Sequence, residues 1–358
     1  MKEKGKFLIF LFLYHLVFTI LSYQYAVTYL GDSHLYWAKT FNINQYSWLD
    51  FAGLNTNFIL FLNYPFIKLG FPFWFGFLMY SMIGFFGILK FIQCAELAFR
   101  DSFEFKGMNL LYLVFLFPNL HFWTATLGKE PLVFYCIASV FYALISKKFY
   151  TPSFILGSLL LIIIRPHVAL MLLSSIALVF LFQKKYAIKK RISFFLFFFS
   201  LFSVLLYLSL KLSHIKYLNW NRIQYFNQYS ILSFKNSGSY VPMLEYNYFH
   251  RFFVFNFQPL FFDAYTKLSW LASFENTLVL LIHLVALLFV LLFYRKIHLH
   301  EWMKITFAFA LISSLLYVQR YANLGIFMRT KIMFQPFILI ALLCVIKQGF
   351  LLKNVKDE

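Results

Sequence analysis

The sequence predicts an all-α polytopic transmembrane bundle of about ten or eleven spans, organised as one integral membrane domain over residues 1–358. Three observations predict it. Hydrophobic residues fill 62% of the 358 positions and charged residues only 13%, against roughly 45–50% and 25% in a soluble globular chain. Mean hydropathy is +0.73. Apolar runs recur along the whole length, separated by short basic tracts. A soluble fold needs polar residues to cover its outside. This chain has too few, and lipid is the solvent that fits.

The elements follow in chain order. The opening MKEKGKFLIFLFLYHLVF is basic and then apolar. No small-residue cleavage site follows, so it reads as a signal anchor that stays as the first span. Apolar runs near 7–29, 72–93, 108–118, 131–146, 152–164, 168–183, 192–212, 274–294, 305–319 and 332–348 are the expected spans. The stretches 108–146 and 152–183 are too long for one helix and carry polar breaks, so each reads as a hairpin of two short helices. Segment 55–69 mixes Asn57, Asn63, Pro65 and Lys68 with aromatics, which suits a re-entrant or interfacial helix. Two long loops remain, 30–54 and 213–273.

Charge sets the expected orientation. The net charge of +19 would point to nucleic acid in a soluble protein. Here more than half of the Lys and Arg fall in short tracts between apolar runs, where they meet lipid head groups and fix topology. The densest tract is KKYAIKKR at 184–191. Placing it inside puts both termini on the cytoplasmic side of an inner membrane and the two long loops outside. Nucleic acid is not an expected partner; membrane lipids are. Cys94, Cys136 and Cys344 lie in or beside apolar runs, without zinc spacing, and read as buried hydrophobes. No P-loop or dinucleotide glycine motif is present. No apolar run shows the polar stripe a channel needs.

Polar groups in five segments of the expected outer face carry the chemistry. GDSHLYW at 31–37 offers Asp32 as a general base or as a helix cap. PNLHFWTATLGKEP at 118–131 places Lys129 and Glu130 just before Pro131, in the first helical turn. Glu130 suits that end of the helix dipole, whereas Lys129 does not, and a phosphate would resolve its cost. IIIRPHVAL at 162–170 sets Arg165 and His167 among apolar residues. An Arg at membrane depth needs a ligand or a partner, and Asp32 and Glu130 are the candidate partners. The guanidinium fork matches phosphate, and His167 is a candidate base. Residues 255–280 add Glu275 at a span boundary, with Asp263 and Lys267 four apart as a surface pair. QRYANLGIFMRTKIMFQP at 319–336 adds Arg320, Arg329 and Lys331 on the face opposite the basic tracts. Together these residues predict an electropositive outer pocket with a few carboxylates. The aromatic and amide side chains of 213–273 suit a glycan surface or a head-group belt.

GDSHLYW, PNLHFWTATLGKEP, the RPH at 165–167 and NLGIFMRTK at 323–331 resemble segments of bacterial glycan-assembly membrane proteins, the O-antigen and exopolysaccharide polymerases and the C-type glycosyltransferases. The resemblance covers most of the chain in scattered patches. It implies a C-type architecture and transfer of a sugar or glycan from a polyprenyl (di)phosphate carrier to an acceptor hydroxyl. Asp32 is similar to the acidic residue that C-type transferases carry beyond the first span. They often have two acids there; here Ser33 follows, which argues against a metal-binding pair. The lipid-linked sugar is the expected donor; a divalent metal stays open as a cofactor, without residues that support it. Arg165 and Arg329 are similar to the outer-face arginines of the polymerases, and His167 would then be the base. In the implied chemistry, Lys129 and the arginines hold the departing phosphate. A flippase or other transporter of an anionic substrate is the rival. It is disfavoured because the two halves lack matching Gly/Pro-interrupted segments.

Overall fold

The computed structural model describes residues 2–99, 104–105, 108–183, 187–213 and 219–357. Arg100, Lys106, Lys184 and Lys185 of the expected inner segments lie outside them, as do 214–218 of the second long loop. The chain divides into two compact units, Met1–Pro166 and His167–Glu358.

Unit 1 runs α1 (Lys2–Thr28), α2 (Asp32–Tyr36), α3 (Thr56–Lys68), α4 (Phe73–Phe99), α5 (Leu110–Phe115), α6 (Pro118–Thr124), α7 (Lys129–Ser146) and α8 (Pro152–Ile164). A two-residue antiparallel ladder pairs Glu104–Phe105 with Met108–Asn109. Local chemistry sets the boundaries. Pro118 and Pro152 stand in the first turns of α6 and α8, where the missing N–H costs nothing. The Thr151 hydroxyl accepts from the Phe154 N–H and caps α8. Lys147, at φ +61°, ends α7 in the left-handed conformation. α4 packs on α7, and α7 on α8. Glycine lets α4 approach its neighbours. A Cβ at Gly84 would stand 1.8 Å from the Thr124 carbonyl oxygen at the end of α6, and one at Gly87 would stand 3.1 Å from backbone of Tyr135 in α7.

α1 departs from the sequence reading. His15, Thr19 and Ser22 are spaced at i, i+4 and i+7 and all are buried, so they form a polar stripe on one face. Their bonds run to Ser81 of α4, His121 of α6 and the Ala125 carbonyl. The stripe therefore faces α4 and α6.

Unit 2 holds most of α9 (Pro166–Leu181), then α10 (Ile188–Leu212), α11 (Trp220–Leu232), α12 (Tyr248–Phe257), α13 (Lys267–Phe293), α14 (Glu301–Tyr317), α15 (Leu324–Lys331) and α16 (Gln335–Asp357). α13 packs on α16. Asn323 caps α15 by accepting from the Ile326 N–H. Asp263 accepts from the Leu260 N–H in a turn, instead of pairing with Lys267.

Six helices are long and apolar enough to cross a membrane: Lys4–Thr28, Phe73–Phe99, Lys129–Ser146, Ile188–Leu212, Lys267–Phe293 and Gln335–Lys353. They differ in how much protein surrounds them. The apolar window of α7 is 78% buried and that of α10 only 6%. The other four expected spans fall on shorter helices. α8 has 13 residues, α9 has 16 and α14 has 17. The expected span at 108–118 is instead the six-residue α5, ended at Leu116 before Pro118 starts a new helix. Segment 55–69 is α3, 13 residues with Pro65 inside. Its length of about 20 Å falls short of the roughly 30 Å hydrocarbon core.

Candidate functional site

In unit 1 the segments singled out at 31–37, 118–131 and 162–165 converge with a fourth, the start of α3. Gly128 precedes α7 in extended backbone, and Lys129 and Glu130 open the helix. A Cβ at Gly128 would stand 3.0 Å from Glu130 Oε2 and 3.4 Å from the Tyr36 ring. Glu130 and Arg165 are both buried. The Arg165 guanidinium donates from Nη2 to Glu130 Oε1 as an ion pair. Glu130 is one of the two partners that the sequence left open to Arg165. Pairing is what makes two such charges tolerable away from water.

Lys129 is held on its other side. Its ammonium donates to Asn55 Oδ1 and to the Thr56 hydroxyl, the latter at 2.9 Å, and lies 5.5 Å from the Tyr36 ring centroid. Asn55 adopts φ +60°, ψ −118°, a region that strains any residue with a Cβ. Its N–H donates to the Ile163 carbonyl at 2.9 Å, which ties the start of α3 to the end of α8. Tyr36 is fixed in turn: Asn63 donates to its carbonyl at 2.9 Å and accepts from the Tyr80 hydroxyl at 3.0 Å. Asp32 is exposed as the first residue of α2, with Gly31 rather than Asp32 at the cap position. It lies one helical turn from Tyr36, about 6 Å along the axis.

Asn55, Thr56 and Tyr36 were not singled out from sequence. Asn and Thr before an apolar run look like an ordinary helix start. The mark Asn55 and Thr56 carried was a polar pair at the very start of 55–69.

Unit 2 holds the remaining residues. Lys331 is fully buried at the end of α15. Its ammonium donates to the Asn256 carbonyl at 3.2 Å, the Gln258 carbonyl at 3.1 Å and Asn276 Oδ1 at 3.1 Å. Three acceptors meet the three hydrogens of an ammonium, so this lysine works as an internal tie between α12, α13 and α15. Burial pulls its pKa down to about 7, and the buried Glu275 carboxylate works in the opposite direction. Arg320 is half-buried, with its guanidinium 4.1 Å from the Phe226 ring centroid. Burial lowers its pKa. Its Nε meets no hydrogen-bond partner. Arg329 is half-buried in the last turn of α15. His167 is half-buried and meets Tyr317 edge-on, ring centroids 6.4 Å apart.

Of the residues expected to line one pocket, Asp32, Lys129, Glu130 and Arg165 belong to unit 1, and His167, Glu275, Arg320, Arg329 and Lys331 to unit 2. Among the described residues, no three His, Cys, Asp or Glu side chains gather as a metal site. No family model, curated protein or solved structure matches this chain.

Proposed function

We propose that this chain is a membrane glycosyltransferase or repeat-unit polymerase. It would move a sugar or glycan from a polyprenyl (di)phosphate carrier to an acceptor hydroxyl at the non-cytoplasmic face. The observation that carries this reading is the buried Lys129–Glu130–Arg165 cluster, whose Lys129 lies by the ring of Tyr36 in α2, the helix that begins at the exposed Asp32. Its three charges leave one net positive, with Lys129 and Glu130 at the N-terminus of α7, an end of a helix where an anionic head group is stabilised. Each cation is anchored by protein groups, so little rearrangement is needed when charge builds on a leaving phosphate.

In the proposed step the acceptor oxygen bonds to the anomeric carbon while the bond from that carbon to the phosphate oxygen breaks. Asp32 takes the acceptor proton. The departing phosphate keeps the electron pair and is neutralised by Lys129 and Arg165. Arg320 and Arg329 of unit 2 are the further candidate cations, and His167 is a second candidate base.

Asp32→Asn tests this with little risk to folding, because the side chain is exposed. In the deletion strain of the source organism, this variant at matched membrane levels should lose the surface glycan ladder and accumulate outward-facing lipid-linked precursor. The expected rate loss is on the order of 10²–10⁴-fold. Precursor trapped facing the cytoplasm would point to a flippase. Unchanged glycan in the deletion strain itself would end the glycan reading.

A further inference from the structure

His15 of α1 and His121 of α6 are both fully buried. They hydrogen-bond to one another, Nδ1 to Nδ1, at 3.0 Å. The other nitrogen of each ring meets a backbone carbonyl: His15 Nε2 the Ser81 oxygen at 3.1 Å, and His121 Nε2 the Phe115 oxygen at 2.8 Å. A carbonyl only accepts, so both Nε2 atoms must carry hydrogen. Two bare Nδ1 atoms would then oppose lone pair to lone pair, so the bond between them needs a hydrogen as well. The arrangement requires three N–H hydrogens on two imidazoles, and two neutral rings supply only two.

We propose that His15 and His121 form a proton-binding site that holds one proton between them, placing a single positive charge among α1, α4 and α6. Burial opposes that charge. Several features offset it. Two carbonyl dipoles point at the outer ends of the pair. The charge spreads over two rings. Aromatic rings surround it: Tyr14 lies edge-on to His121 at 4.8 Å, Phe18 lies 5.8 Å from His121, and Phe85 lies 5.6 Å from His15. Ser81 is fixed in turn by the Thr19 hydroxyl at 2.6 Å.

The groups facing the pair are few. α1 brings Tyr14, whose phenol donates to the Leu116 carbonyl at 3.0 Å. α4 brings Ser81 and Phe85, and α5 brings the Phe115 carbonyl. Among the described residues, no acidic or basic side chain other than the two histidines hydrogen-bonds or stacks with either ring. The site is separate from the Lys129–Glu130–Arg165 cluster and does not depend on the function proposed above.

The test is nitrogen NMR on the full-length protein in lipid bilayers, with histidine labelled in both ring nitrogens. A proton coupled to two imidazole nitrogens identifies this pair among the nine histidines. The expected result at neutral pH is that bridging proton together with hydrogen on both Nε2 atoms, three in all. On raising the pH, the bridging signal should vanish as both rings change together with one midpoint. In His15→Gln, His121 should report as neutral at the pH where the wild-type pair is charged. Only two hydrogens on the wild-type pair at neutral pH, bridged or not, would overturn the proposal. That decision needs no variant to fold.

Discussion

Glu130 and Arg165 each depend on the other for tolerance of burial. Glu130→Ala should cost about 3–5 kcal/mol, because it strands a guanidinium away from water. The double change Glu130→Met with Arg165→Met should recover most of that loss. The checking measurement is thermal unfolding of the purified protein in detergent. Activity should not return with stability, which separates the fold's need for the pair from the chemistry's need for a cation. Asn55 gives a second prediction. Asn55→Gly removes backbone strain of about 1–3 kcal/mol, whereas Asn55→Ala keeps φ +60° with a Cβ. Both lose the acceptor for Lys129. The glycine variant should therefore unfold at a higher temperature than the alanine variant, and both should lose surface glycan. Lys331 gives a pH dependence. Its folded pKa, near 7, lies below the ordinary lysine value of about 10.4. Between those values the unfolded chain binds more protons, so the contribution of Lys331 to stability rises with pH. Unfolding temperatures followed from pH 7 to 10 should show that rise, and it should be absent in Lys331→Met.

At the scale of elements, close approach through glycine decides the α4 interfaces. Gly84→Val would drive a branched side chain into the Thr124 carbonyl, where backbone cannot yield. We expect loss of folded protein from the membrane, read by size-exclusion profile. Gly238, with open space around its Cβ position, should accept the same change without effect. Helix identity was legible in the sequence because apolar length and basic punctuation report it directly. α5 was not, because 108–118 is apolar enough for a span. The break at Leu116 and Pro118 shortens it, and composition does not register that. The polar stripe of α1 was also hidden. His15, Thr19 and Ser22 are three residues in a run of hydrophobics, and their meaning lies in what α4 and α6 place opposite them. The sequence marked Lys129, Glu130 and Arg165 because charge in apolar surroundings needs a reason. It did not mark Asn55 or Thr56, because polar residues at a helix start need none.

For the whole molecule, the proposed orientation places both termini in the cytoplasm. The three native cysteines are buried, so they leave a quiet background for topology mapping. Single cysteines introduced at Ser237 or Asp50 should react with a membrane-impermeant maleimide added to intact cells. One at Lys296 should react only after the membrane is opened. The reverse pattern would invert the topology and place the Asp32 cluster inside. Most of the nine charged and histidine candidates stand at or beside helix ends, whereas Glu275 lies within α13. Their division between two units follows chain order, with the boundary between Pro166 and His167.

α7 and α10 have similar chemistry and opposite surroundings. α10 has only one fully buried residue, Leu205, so exchanging Leu, Phe, Ile and Val on its exposed positions changes which hydrocarbon touches lipid. The same exchanges in α7 would open or overfill a packed interior. Across related chains, α10 should drift freely in residue identity while keeping its greasiness. α7 should hold its residues nearly fixed.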